Sequence, residues 1–126
     1  MDDLRTALDA LLDKLSRLPE SKLTAGLDAG AGPARDGHAL AQKLADAAAG
    51  IASWAAAVPP AVQPVPWVGP FVVADQLAVT GADLVVAADG LDAELSVWSG
   101  AVRGDLGSVL AECLATVLAL SGRLGG

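Results

Sequence analysis

The sequence predicts an all-α fold, read as a four-helix bundle or a pair of helical hairpins with a Pro-rich connector between the second and third helices. Three observations carry that prediction. Leucine, alanine and valine recur at steps of three and four residues over most of the chain. Alanine, the strongest helix former, fills much of the space between them. All seven prolines fall in two stretches, 19–37 and 59–70, which separate the periodic segments rather than interrupt them. At 126 residues the chain is the size of one domain, 1–126, with 19–37 as a flexible Gly/Ala-rich connection.

The first helix covers 2–18. Leu4, Leu8, Leu11, Leu15 and Leu18 step by 4, 3, 4 and 3, so they line one face. Asp2 and Asp3 sit at the positive end of the helix dipole, with Lys14 and Arg17 at the negative end. Pro19 stops the helix, and Leu23 and Leu27 suggest one short turn in the connection that follows. Asp36 is placed to cap a second helix running to Val58, with Leu40, Leu44, Ala47, Ile51, Trp54 and Val58 on one face. Residues 59–70, rich in proline, form an extended connector in which Trp67 covers one end of the bundle. Residues 71–89 favour a third helix, because Val73, Leu77, Gly81, Leu84 and Ala88 share a face. The β-branched pairs at 72–73 and 85–86 leave a hairpin open there. Asp92 is placed to cap a last helix, along which Leu95, Trp98, Val102, Leu106, Val109, Cys113, Val117, Leu120 and Leu124 keep the rhythm. Gly100, Gly104 and Gly107 weaken its middle and mark a kink or break near 103–108.

Charge and composition exclude several functions. Fifteen acidic residues against eight basic give a net charge of −7, which repels phosphate backbones, so nucleic acid is not an expected partner. Cys113 is the only cysteine, so no intrachain disulfide forms and a reduced, cytoplasmic setting fits. The acidic start does not suit a signal peptide. The uncharged stretch 47–74 is broken by prolines, so no membrane span is expected. Ala, Gly, Val, Leu and Asp dominate, and most of the cations are Arg, a bias that GC-rich bacterial coding produces.

No catalytic, cofactor or metal residues are expected. His38 is the only histidine, near a helix start, and Cys113 lies on an apolar stripe, so neither a triad nor a ligand cluster is suggested. Asp83, Asp89, Asp92 and Glu94 lack the spacing of a calcium loop and read as caps and a solvated turn. Gly30-Ala31-Gly32 lacks the strand and third glycine of a dinucleotide fingerprint, and Arg103-Gly104-Asp105 reads as a chance tripeptide.

Trp67-Val68-Gly69 and Trp98-Ser99-Gly100 are both Trp-x-Gly. The motif resembles that of the small helical-hairpin substrates of type VII secretion, whose two helices join at a Trp-x-Gly turn. The resemblance covers three residues, and this chain lacks the tyrosine that the family's secretion signal uses.

The apolar fraction is 53% before its 14 glycines are counted, more than a small monomer needs. That surplus points to a non-catalytic interaction module that forms a homo-oligomer or docks on a protein partner, with Leu4, Leu8, Leu11, Leu15 and Leu18 as the interaction face. The alternative is a small apolar ligand, or a minor enzymatic activity, in a pocket lined by Trp54, Trp67 and Trp98; the same three side chains serve equally as core.

Overall fold

The computed structural model describes residues 1–125; Gly126, the last residue of the expected domain, lies outside the described residues. The described residues are mostly helical, with five helices and one small two-stranded sheet among them. In order these are α1 (Asp2–Arg17), α2 (Glu20–Leu23), α3 (Pro33–Ala52), α4 (Val73–Ala88), β1 (Ser96–Ser99), β2 (Val102–Asp105) and α5 (Leu106–Arg123). Short 3-10 turns stand at Leu27–Ala29 and Pro70–Val72.

The leucine spacing of α1 does what amphipathic spacing requires: Leu4, Leu8, Leu11 and Leu15 are buried, and Leu18 is half-buried against the same core. The stripe is therefore turned inward on α4 and α5, the two neighbours of α1. Gly81 of α4 faces Leu8. Lys14 Nζ donates to the Ser121 carbonyl at 3.0 Å and closes the last turn of α5. α3 packs most extensively on α4 and also meets α5. Gly37 of α3 lies against Val73 and Leu77, so α3 and α4 begin at the same end of the molecule and run in the same direction. Leu11, Leu44, Ile51, Leu77, Leu84 and Val117 are fully buried members of the one core these helices share.

Two helix boundaries differ from expectation. α3 begins at Pro33, not at a cap on Asp36. Gly32 holds φ 95°, a conformation open to glycine, and Pro33 suits the first helical position because it has no N–H to leave unpaired. Asp36 instead lies in the first turn, 3.8 Å from Arg123 of α5. The helix ends at Ala52, so Trp54 and Val58 lie beyond it, ahead of Pro59 and Pro60.

The larger correction concerns 92–105. Asp92 caps no helix; its Oδ1 accepts from the Glu94 N–H at 2.8 Å and tightens a turn. Residues 96–105 then form an antiparallel hairpin in which Val97 pairs with Gly104 and Trp98 with Arg103. Gly100 supplies the positive φ, 63°, that a two-residue hairpin turn needs at its first position. Alternation replaces helical periodicity: Val97 is buried in the core and Trp98 points to the other face. α5 starts only at Leu106. Asp105 caps it, accepting from the Ser108 N–H at 2.9 Å and the Ser108 hydroxyl at 2.8 Å. Residues 71–89, by contrast, are helical as the spacing favours, from a 3-10 turn at Pro70–Val72 through α4.

The helical-hairpin geometry implied by the Trp-x-Gly resemblance is not present. Trp67-Val68-Gly69 precedes α4 at the end of a long connector between parallel helices, and Trp98-Ser99-Gly100 lies in the β-hairpin. Among the described residues two segments, Pro70–Ala88 and Leu106–Arg123, are long and apolar enough to cross a membrane by length and composition alone. Here each gives its inner face to the core.

Candidate functional site: a strap over a cleft

Parallel packing of α3 and α4 forces the chain to travel back along α3. α3 has 20 residues and is about 30 Å long. A proline-rich strand makes that return without needing backbone partners, since polyproline II is fully solvated. Residues 53–69 form this strap.

Side chains clamp the strap at both ends. At the C-terminal end of α3, Arg103 donates to the carbonyls of Trp54 at 2.7 Å and Ala56 at 2.9 Å. Trp98 Nε1 donates to the same Ala56 carbonyl at 3.1 Å, and the Arg103 guanidinium covers the Trp98 ring at 4.2 Å. Towards the other end, Gln42 uses its whole amide. Its Oε1 accepts from the Val65 N–H at 2.7 Å, and its Nε2 donates to the Gln63 carbonyl at 3.1 Å. His38 Nε2 donates to the Val65 carbonyl at 2.7 Å, and Gln76 of α4 donates to the Pro66 carbonyl at 2.8 Å. Trp67 is half-buried between the Arg35 guanidinium, 3.8 Å from its ring centroid, and the His38 ring, which lies 5.4 Å away and nearly perpendicular to it.

Between the clamps the strap stands away from the helices and leaves a cleft of about 610 Å³. Pro59, Pro60 and Val62 form one wall, and Trp98 and the hairpin turn form the end. Ala47, Gly50, Val109 and Cys113 make an apolar floor. The rim is polar. Lys43 Nζ lies 2.8 Å from Glu112 Oε1, and Gln42 donates to Asp46 at 2.9 Å. Lys43 holds the Glu112 carboxyl below its ordinary pKa by hydrogen bond and charge.

Burial pushes the Cys113 thiol up, so it stays protonated and a poor nucleophile. His38 lies in the far clamp, outside the residues that line the cleft. Among the described residues no group of three His, Cys, Asp or Glu side chains is placed to hold a metal ion.

Of the three tryptophans, only Trp98 lines the cleft. Trp54 is exposed over less than half of its surface beyond α3, where its backbone carbonyl serves the Arg103 clamp. Trp67 packs against the core at the opposite end of the strap. The clamp residues Gln42, Gln76 and Arg103 were not signalled by the sequence, since each bonds to backbone remote in sequence. No protein-family model, curated protein or solved structure matches the chain.

Proposed function

We propose that the chain is a non-catalytic helical interaction module, a four-helix bundle with an added hairpin that self-associates or docks on a partner protein through an apolar helix face. The observation that carries this reading is the outer face of α4. Val79 and Val86 stand on it at 60% and 75% exposure, with Ala82 exposed between them. A contiguous apolar stripe on a small domain marks an association surface more often than a stray exposed valine does. With the leucines of α1 committed to the core, α4 takes over the role of interaction face. Phe71 and Val68, both exposed, extend the apolar surface beyond the N-terminal end of α4.

A second reading rests on the cleft. Its volume falls within the range of small-molecule sites, and Trp98, Pro59, Pro60 and Val62 would suit an uncharged apolar ligand.

Native mass spectrometry of the protein from its own host separates the two. A multimer or hetero-complex is expected, and it should be lost in the Val79→Asp/Val86→Asp double variant. A monomer carrying the mass of a small molecule would favour the cleft. A bare monomer at all concentrations would count against the interaction module.

A further inference from the structure

The outer face of α4 carries Val79, Ala82 and Val86, with acidic residues in and around it. Asp75, Val79, Ala82 and Val86 step by 4, 3 and 4, the spacing of a seam against which a second helix packs, and half-buried Val72 in the preceding turn continues the same rhythm. Val79, Ala82 and Val86 are exposed, as are Asp75 within the stripe, Asp83 beside it and Asp89 at its C-terminal end. None of these three carboxylates has an ion-pair partner among the described residues. The sequence offers none nearby: no Lys, Arg or His stands between Lys43 and Arg103. The chain's cations are used elsewhere in part, with Arg17 on Asp13, Lys43 on Glu112 and Arg123 on Asp36.

We infer that the occupant of this face is a basic amphipathic helix of another protein, with an apolar stripe flanked by Lys or Arg. The inference rests on the interaction-module reading and names its partner. Charge complementarity selects among the occupants. A symmetric second copy would bring one α4 against another, adding carboxylates to carboxylates with no cation from either helix, and like charges set against each other across an interface are unfavourable. An anionic lipid surface carries the same sign as α4 and is repelled. A basic helix buries the valines and supplies the missing counter-charges in one step, which is the helix-on-helix mode of recognition. α4 has 16 residues, so the contact extends over about 24 Å, or some four turns. Charge pairs at the rim of such a contact act mainly on specificity and encounter rate, and are weakened by salt.

The test uses a labelled synthetic helical peptide with a Val/Leu heptad stripe flanked by lysines, and a control with the same stripe flanked by glutamates. Binding to the full chain is followed by fluorescence anisotropy. The lysine peptide is expected to bind at least about tenfold more tightly than the control, with that preference shrinking at high salt. Asp75→Lys/Asp83→Lys should reverse the preference, while circular dichroism stays unchanged because both positions are exposed. Equal binding of the two peptides would overturn the charge argument and leave the interaction module standing. So would failure of both peptides alongside a chain that dimerises through Val79 and Val86, since the occupant would then be a second copy. Binding to phosphatidylserine vesicles in place of the peptides would overturn it in favour of a membrane. Failure of both peptides with a monomeric, vesicle-free chain would overturn the inference and the interaction reading together.

Discussion

At Gly50 the backbone of α3 meets the backbone of the hairpin. A Cβ built there would run into the Trp98 carbonyl, which is main chain and cannot swing aside. The glycine weakens α3 as a helix, by about 1 kcal/mol relative to alanine, yet it permits the contact that seats Trp98 at the end of the cleft. Gly122 is the contrasting case, an exposed helical glycine with nothing within 4 Å of its would-be Cβ. Gly50→Ala is therefore expected to destabilise the fold by about 1–3 kcal/mol despite its better propensity. Gly122→Ala should stabilise it by about 0.5 kcal/mol, through restricting the unfolded chain. Urea melts of the two variants check the pair, and similar shifts of the same sign would show that the close approach at Gly50 is absent. At this scale the sequence was partly readable. The single face of the α1 leucines and the apolar position of Cys113 follow from spacing, because a helix face is a local property; that the α1 face meets this chain's own helices, where it was expected to be an interaction face, does not. Which tryptophan lines the cleft does not, since Trp54, Trp67 and Trp98 are placed by contacts between distant segments.

The element most easily misread is the hairpin. Leu95, Trp98 and Val102 fall at helical spacing by accident of composition, and a stretch rich in small apolar residues satisfies several periods at once. The better signals were Gly100, which turns the chain, and Asp105 three residues before Ser108, which starts the helix. A capping carboxylate also leaves a signature in pH. The Ser108 amide and then its hydroxyl hold Asp105 below its ordinary pKa of 3.8. A depressed folded-state pKa means that the stabilisation is fully present above the unfolded value and disappears as pH falls through the folded one. Asp105→Ala should lower the melting temperature near neutral pH. Asp105→Asn, which keeps the acceptor but cannot titrate, should hold most of it and show a smaller loss on acidification below the usual carboxylate range. Glu112 contributes an acid loss of the same sign through Lys43, so the comparison is cleanest in a Glu112→Gln background. Identical acid profiles for the parent and Asp105→Asn would show that the cap does not form.

For the whole molecule, the decisive feature is the direction of α3 and α4. Antiparallel neighbours need only a short loop, whereas parallel ones need a return path, and the proline-rich stretch supplies it. Proline content announced an extended connector, but no local pattern states that it runs back along a helix, or that Arg103, Gln42 and His38 hold it there. The cleft follows from the slack in that path. Between the level of Gly50 and that of Gln42, α3 rises only about 12 Å. From Ala56 to Gln63 an extended strap reaches about 22 Å. The chain is longer than its span, so it bows outward and leaves space beneath. Deleting Pro60, Ala61 and Val62 leaves a reach of about 12 Å, just enough to join the clamps. That variant should fold cooperatively, keep the Val65 amide protected from hydrogen exchange through Gln42, and lose the open cleft. Deleting residues 57–62 leaves about 3 Å, so one clamp must let go. Exchange at Val65 should then accelerate, or the Trp98 indole should lose its bond to Ala56 and shift its fluorescence. If both clamps survived the longer deletion, the strap could not follow the path along α3, and the cleft would have to arise in another way.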